Sequence, residues 1–171
     1  MAIKSIKNFI KNITEEKTEN ISNISISSKG IKPKDILLIF PFEKDFFRVA
    51  SYAYRNLPYE RQETTFHYLV NESYIDSFSL RKGEIIKLKF DSKMNILNEN
   101  ELLLSLAKKK YDIIVDLNIS FQPKIEKFIM LDSNYKIGFK HHKSDKFYNV
   151  QLDISKSEIA EKGYQQIIDL I

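Results

Sequence analysis

Apolar residues recur at helical spacing from the first residues of the chain. Ile3, Ile6, Phe9, Ile10 and Ile13 fall three and four apart, with Lys4, Lys7 and Lys11 between them. This predicts an amphipathic helix over residues 1–14. Residues 15–34 are polar, hold Gly30 and Pro33, and read as a linker. The pattern then changes. Ile36–Phe40 is a continuous apolar run stopped by Pro41, the mark of a strand covered on both faces. Phe46, Phe47, Ala50, Ala53, Tyr54 and Leu57 return to helical spacing, with Pro58 as the stop. Thr64–Val70, rich in β-branched and aromatic residues, predicts a second strand, and Ile85–Phe90 a third. A helix capped by Asn98 or Asn100 should run to about Lys110 with Leu103, Leu106 and Ala107 inward. Asp112–Asp116 is the fourth strand, Pro123 opens a helix carrying Ile125, Phe128 and Ile129, Tyr135–Phe139 is the fifth strand, and Phe147–Leu152 a sixth. Ser155 with Glu158 forms a capping box for a last helix carrying Ile159, Ile167, Ile168 and Ile171.

Strands alternating with helices imply a mainly parallel, doubly wound sheet with helices on both faces, a three-layer α/β/α domain over residues 35–171. Only central strands need to be apolar throughout, so the expected strand order is 3-2-1-4-5, with Ile36–Phe40 beside Ile113–Asp116 at the centre.

Composition narrows the classes. The 171 residues suit one domain and a tail. No run of about 18 apolar residues is present, so no membrane span is expected, and the basic, interrupted N-terminus is unlike a secretory signal. There is no cysteine, which excludes disulfides, thiolate metal sites and a thiol nucleophile, and fits a cytoplasmic location. The net charge of +4 sits entirely in residues 1–34, where seven Lys meet three Glu; 27 less 7 and 23 less 3 leave a body of 20 basic and 20 acidic residues. A neutral body is not the surface of a nucleic-acid-binding domain.

Absent motifs exclude more. The four glycines are Gly30, Gly83, Gly138 and Gly163, and none follows the first strand. A dinucleotide or phosphate loop needs glycine there, so no nucleotide cofactor is expected in that position. His141 and His142 are adjacent and cannot share one helical face toward a metal, and no metal site is expected. His67, within a strand, reads as structural. Ligands in open parallel sheets bind beyond the carboxyl ends of the strands, which points to three polar loops. These are Phe42–Asp45, Asn118–Gln122 and Lys140–Lys146. Glu43, Lys44, Asn118, Lys140 and His141 are the candidate ligand-binding residues. Asp45, at a helix start where the dipole stabilises a carboxylate, is the candidate general base if a sugar hydroxyl comes within reach, or else a helix cap. The basic third loop could hold a phosphate or acidic sugar, or be a solvated turn.

Three phrases in order resemble the heptosyltransferases, glycosyltransferase family 9. They are ILLIFPFEKDFFRVASYAYRNL at Ile36–Leu57, YDIIVDL at Tyr111–Leu117, and YKIGF at Tyr135–Phe139 followed by Asp145–Asn149. The resemblance spans residues 35 to 171 and implies a Rossmann-like N-terminal, acceptor-side domain of a bacterial, cytoplasmic GT-B glycosyltransferase. In that family the first loop carries Gly and then an Asp taken as the catalytic base. The matching positions here are Asp45 and Phe46, so the glycine is gone and the carboxylate is displaced by one place. The family's nucleotide-sugar donor site lies mainly in a C-terminal domain that this sequence does not contain. The expectation is therefore a non-catalytic interaction or scaffold subunit. The alternatives are the acceptor half of a split glycosyltransferase completed by a separate donor-domain chain, or a small-molecule binder. A sugar or nucleotide sugar is the ligand class implied. Residues 1–14 are expected to dock on a protein partner, with the domain's own surface and an anionic membrane face as the other two surfaces able to cover their apolar stripe.

Overall fold

A computed structural model describes residues 33–55, 57, 63–78, 82–154 and 160–171. The expected N-terminal helix, most of the linker, Pro58, Ile159 and the Ser155–Glu158 box lie outside the described residues. Six strands are present: β1 (Asp35–Ile39), β2 (Thr65–Asn71), β3 (Glu84–Leu88), β4 (Tyr111–Asp116), β5 (Ser133–Phe139) and β6 (Val150–Leu152). They form one sheet in the order β3-β2-β1-β4-β5-β6, parallel at every pairing. This is the expected order with a sixth parallel strand added beside β5.

Alternation along β1 explains the layers. Ile36, Leu38 and Phe40 face α1 (Lys44–Tyr54) and α5 (Ala160–Leu170), meeting Phe47, Ala50, Tyr54, Tyr164 and Ile167. Leu37 and Ile39 face the other way, toward Leu106 of α2 (Glu99–Leu106) and Phe128 and Ile129 of α3 (Glu126–Ile129). A one-turn helix, α4 (Ser144–Phe147), precedes β6. Every residue of Ile36–Phe40 is fully buried. Burying a side chain of this size is worth about 2 kcal/mol, which is why the run contains no polar residue. The Phe40 ring meets Phe47, Tyr54, Tyr68 and Phe78 edge-on with centroids 5.0–6.1 Å apart, fixing α1 against the sheet.

His67 is the structural residue it was read to be. It is buried in β2, with Nε2 2.9 Å from Asp35 Oδ1 and Nδ1 2.9 Å from Glu84 Oε2, so one ring ties β1, β2 and β3. Lys109 Nζ, 3.2 Å from Glu84, completes the cluster. It lies at the amino ends of the strands, at the opposite end of the sheet from the three polar loops.

Several expectations are corrected. Phe147 closes the α4 turn instead of starting a strand. The helix opened by Pro123 is a 3-10 turn, Pro123–Ile125, followed by the single turn of α3. Asn98 occupies the N-cap position of α2 but makes no side-chain cap bond, and Asn100 lies inside the helix. The Asn98 side chain turns to β3 instead, accepting from Lys89 N at 3.0 Å and donating to Lys87 O at 2.9 Å. It stands in for a neighbouring strand at the sheet's edge. Ala107 is exposed, because the helix ends at Leu106.

Candidate functional site

The chain moves outward from β1 to β2 and β3, then returns to the other side of β1 with β4. The switch point is therefore the gap beyond Ile39 and Asp116, where a doubly wound sheet opens its crevice. All three polar loops border this end.

Asp116 is the last residue of β4 and is 1% exposed. Its Oδ2 accepts from Tyr148 Oη at 2.6 Å, and its Oδ1 accepts from the backbone N and Nδ2 of Asn118 at 2.9 and 2.7 Å. Asn118, also buried, accepts from Phe42 N through Oδ1 at 3.0 Å. Phe42 O in turn accepts from Tyr74 Oη at 2.9 Å, and Leu117 O from Tyr164 Oη at 3.2 Å. The result is one buried polar network joining the loop after β1, the end of β4 and the connection after β5. Burial pushes the Asp116 carboxyl up to about 6, although its hydrogen bonds to Tyr148 and Asn118 oppose this. Burial, and then the adjacent Asp116 carboxylate, hold the Tyr148 phenol far above its ordinary value.

The sequence-predicted residues are distributed around this network. Asn118 is a member of it. Glu43 occupies the cap position of α1 without a side-chain cap bond. Its Oε1 accepts from Ser120 Oγ at 3.4 Å, and Ser120 Oγ accepts from Gln122 Nε2 at 3.2 Å. Lys44 and Asp45 are the first two residues of α1, both exposed. Asp45 makes no cap bond, and among the described residues no hydrogen bond joins it to the second or third loop.

In the third loop each lysine of Lys140–Lys146 has an internal partner. Lys140 pairs with Asp153 at 3.3 Å and Lys146 with Glu126 at 3.2 Å, while Lys143 lies 4.7 Å over the Phe121 ring. These contacts pin the loop to the body. His141 is wedged between Phe121 and Tyr148, centroids 5.3 and 5.7 Å away, and its Nδ1 accepts from Lys143 N at 3.1 Å. Nε2 is buried without a partner. Burial, then His142 and Lys143, lower the His141 pKa.

Sequence reasoning did not single out Asp116, Tyr148 or Tyr164. The available signal was a carboxylate ending an otherwise apolar central strand at the switch point. A groove of about 320 Å³ lies elsewhere, between β3 and α2, lined by residues including Ile86, Lys87, Leu102 and Lys109. No group of His, Cys, Asp or Glu among the described residues is arranged to hold a metal ion, and no helix among them is long and apolar enough to cross a membrane.

Two solved structures share this architecture. One is E. coli heptosyltransferase WaaC with ADP-2-deoxy-2-fluoro heptose, with a TM-score of 0.60 and 15% identity over 78% of this chain and 47% of that one. The other is E. coli heptosyltransferase WaaC with ADP, with a TM-score of 0.59 and 16% identity over 78% and 46% of the two chains. The likeness is one of fold: a six-stranded, all-parallel, Rossmann-like α/β sheet like that of a GT-B heptosyltransferase. The chain spans about half the length of the solved structures it matches. No protein-family model matches the sequence, and no curated protein does.

Proposed function

We propose that this is a heptosyltransferase-like domain that does not transfer sugar by itself and acts as an interaction or scaffold subunit. The observation that carries the reading is the closed network at the switch point. A sugar site needs polar groups left available for hydroxyls and phosphates, yet Asn118 and Asp116 spend theirs on Phe42, Tyr148 and each other. The lysines of the third loop are likewise engaged. Catalysis requires a base within hydrogen-bond reach of the proton it takes, and Asp45 lies exposed on the first turn of α1 with no partner in the other loops. In this reading the outer surfaces, with the apolar stripe of residues 1–14 foremost, carry the function. The second reading, the acceptor half of a split glycosyltransferase, draws on Glu43, Lys44 and Asp45, which stay exposed at the rim.

The test is a transfer assay on the purified chain with ADP-sugars and other nucleotide sugars, supplied with lipid-linked and free sugar acceptors. No transfer is expected. Turnover that disappears in Asp45→Asn would overturn the proposal, and turnover that appears only on adding a separate donor-domain chain would install the split-enzyme reading.

A further inference from the structure

The sheet ends at β3, which pairs with β2 alone, and its outer edge is only partly closed. Asn98 and Leu97 cover the carboxyl half of that edge. Asn98 Nδ2 donates to Lys87 O at 2.9 Å, Asn98 Oδ1 accepts from Lys89 N at 3.0 Å, and Leu97 N donates to Lys89 O at 2.8 Å. Backbone groups of successive residues in a parallel strand turn to opposite sides, so Ile85 N, Ile85 O and Lys87 N face the same outer side as these. None of the three has a hydrogen-bond partner among the described residues. An unpaired strand edge of this kind accepts an added strand.

The surroundings set what that strand must be. On one face of β3, the groove of about 320 Å³ runs beside the open edge over the apolar side chains of Ile86, Leu102 and Leu106. On the other face stand Ile85, 41% exposed, and then Lys87 and Lys89, also exposed. Lys109 is paired with Glu84 at 3.2 Å, and Glu84 is shared with His67. Of the other charged residues lining the groove, Lys87 and Lys89 have no ion pair among the described residues, against Glu101 as the one anion in the same condition. The exposed Lys108 and Lys110 flank Lys109 and add to the positive excess. A second copy of β3 would bring the same lysines against these, and like charges across a strand pair oppose pairing. Carboxylates at alternate positions of an incoming strand would instead answer them. We propose that the amino half of the β3 edge is a docking site for an extended acidic segment of a partner protein. The main chain of the segment bonds Ile85 N, Ile85 O and Lys87 N. Its carboxylates lie beside Lys87 and Lys89, and its alternate apolar side chains enter the groove over Ile86 and Leu102. This deepens the interaction reading at a surface apart from the crevice. Sugar transfer would overturn that reading and leave the edge to be judged by its own test, while a failed edge would leave the transfer result standing.

The test uses the full chain, isotopically labelled, and an end-blocked peptide of about eight residues alternating Glu and Val. Saturable amide shifts are expected at Ile85, Ile86 and Lys87. Methylating the backbone nitrogens of one alternate set of peptide residues should abolish binding, and methylating the other set should not, because only one set turns its N–H groups to the edge. The double variant Lys87→Glu, Lys89→Glu changes two exposed side chains. It should bind the Glu–Val peptide roughly tenfold more weakly, and a Lys–Val peptide roughly tenfold more tightly, than the unaltered chain. No shift at Ile85 or Lys87 would overturn the proposal. Equal behaviour of the two methylated peptides would do the same, since it would mean adsorption by charge alone, as would an unchanged preference in the double variant. In the chain without peptide, concentration-dependent shifts at Ile85 would give the edge to a second copy. Nuclear Overhauser contacts from residues 15–32 to Ile85 would give it to the chain's own linker, and either result removes the partner segment.

Discussion

Asp116 is the residue on which the crevice depends, and its effect on stability has a definite sign. Its pKa is raised in the fold, from 3.8 to about 6. A raised carboxyl pKa means that the folded state binds the proton more tightly than the unfolded state. The associated stability is complete below about pH 4 and is lost as pH rises through 6. The loss across that window is about 3 kcal/mol. Asp116→Asn keeps the shape and removes the proton equilibrium. Urea unfolding of the two proteins at pH 4.5 and pH 7 should show the unaltered chain losing ground to the variant at the higher pH. Parallel behaviour of the two would show that Asp116 is better solvated than its enclosure implies.

Between elements, the tightest restraint on the crevice is the approach of β5 to Tyr148. A Cβ built on Gly138 would come within 2.5 Å of that ring, so the strand must present glycine there for Tyr148 to reach Asp116. Gly138→Ala should displace the ring, break the Tyr148–Asp116 bond and cost about 2 kcal/mol. Thermal unfolding together with the near-ultraviolet tyrosine signal would register it. An unchanged melting temperature would mean that the connection accommodates the methyl without moving Tyr148. The contact also shows what could be read from the chain alone. β1 and β4 were legible because central strands must be apolar on both faces, and the strand order followed from them. Gly138 was read only as part of a strand, because its partner ten residues on is set by the path of the connection. Phe147, expected to start the sixth strand, completes a helical turn instead. Asn98 looked like a cap, and only the fold shows β3 ending beside it with backbone groups to satisfy. Among the candidate residues, the loops were located correctly by the rule for strand ends. What sequence could not supply was pairing: whether Asn118, Lys140 and Lys143 faced outward or were already occupied within the fold.

At the scale of the molecule, a sheet of the heptosyltransferase kind is combined with a switch point closed by its own side chains. The proposal places function on the exterior, and the apolar stripe of residues 1–14 is the surface for which the sequence argues most strongly. Under the proposal, deleting residues 1–30 should change the stability of the body by less than about 1 kcal/mol, since about 20 polar residues separate the apolar stripe from Asp35 in the sequence. The same deletion should abolish any assembly formed by the full chain, as measured by light scattering after size-exclusion chromatography. A large loss of stability with unchanged assembly would assign the stripe to the domain's own surface and remove the partner from the account.

The central proposal is that the crevice is shut to sugars and nucleotide sugars. Titration of the isotopically labelled full chain with ADP and an ADP-sugar, followed through the backbone amides, tests it most directly. The account predicts no saturable shift at Phe42, Glu43, Asp45, Asn118, Ser120 or His141 up to millimolar ligand. A saturable shift confined to those residues would contradict it, showing that the network opens to a nucleotide sugar and that this domain still recognises one.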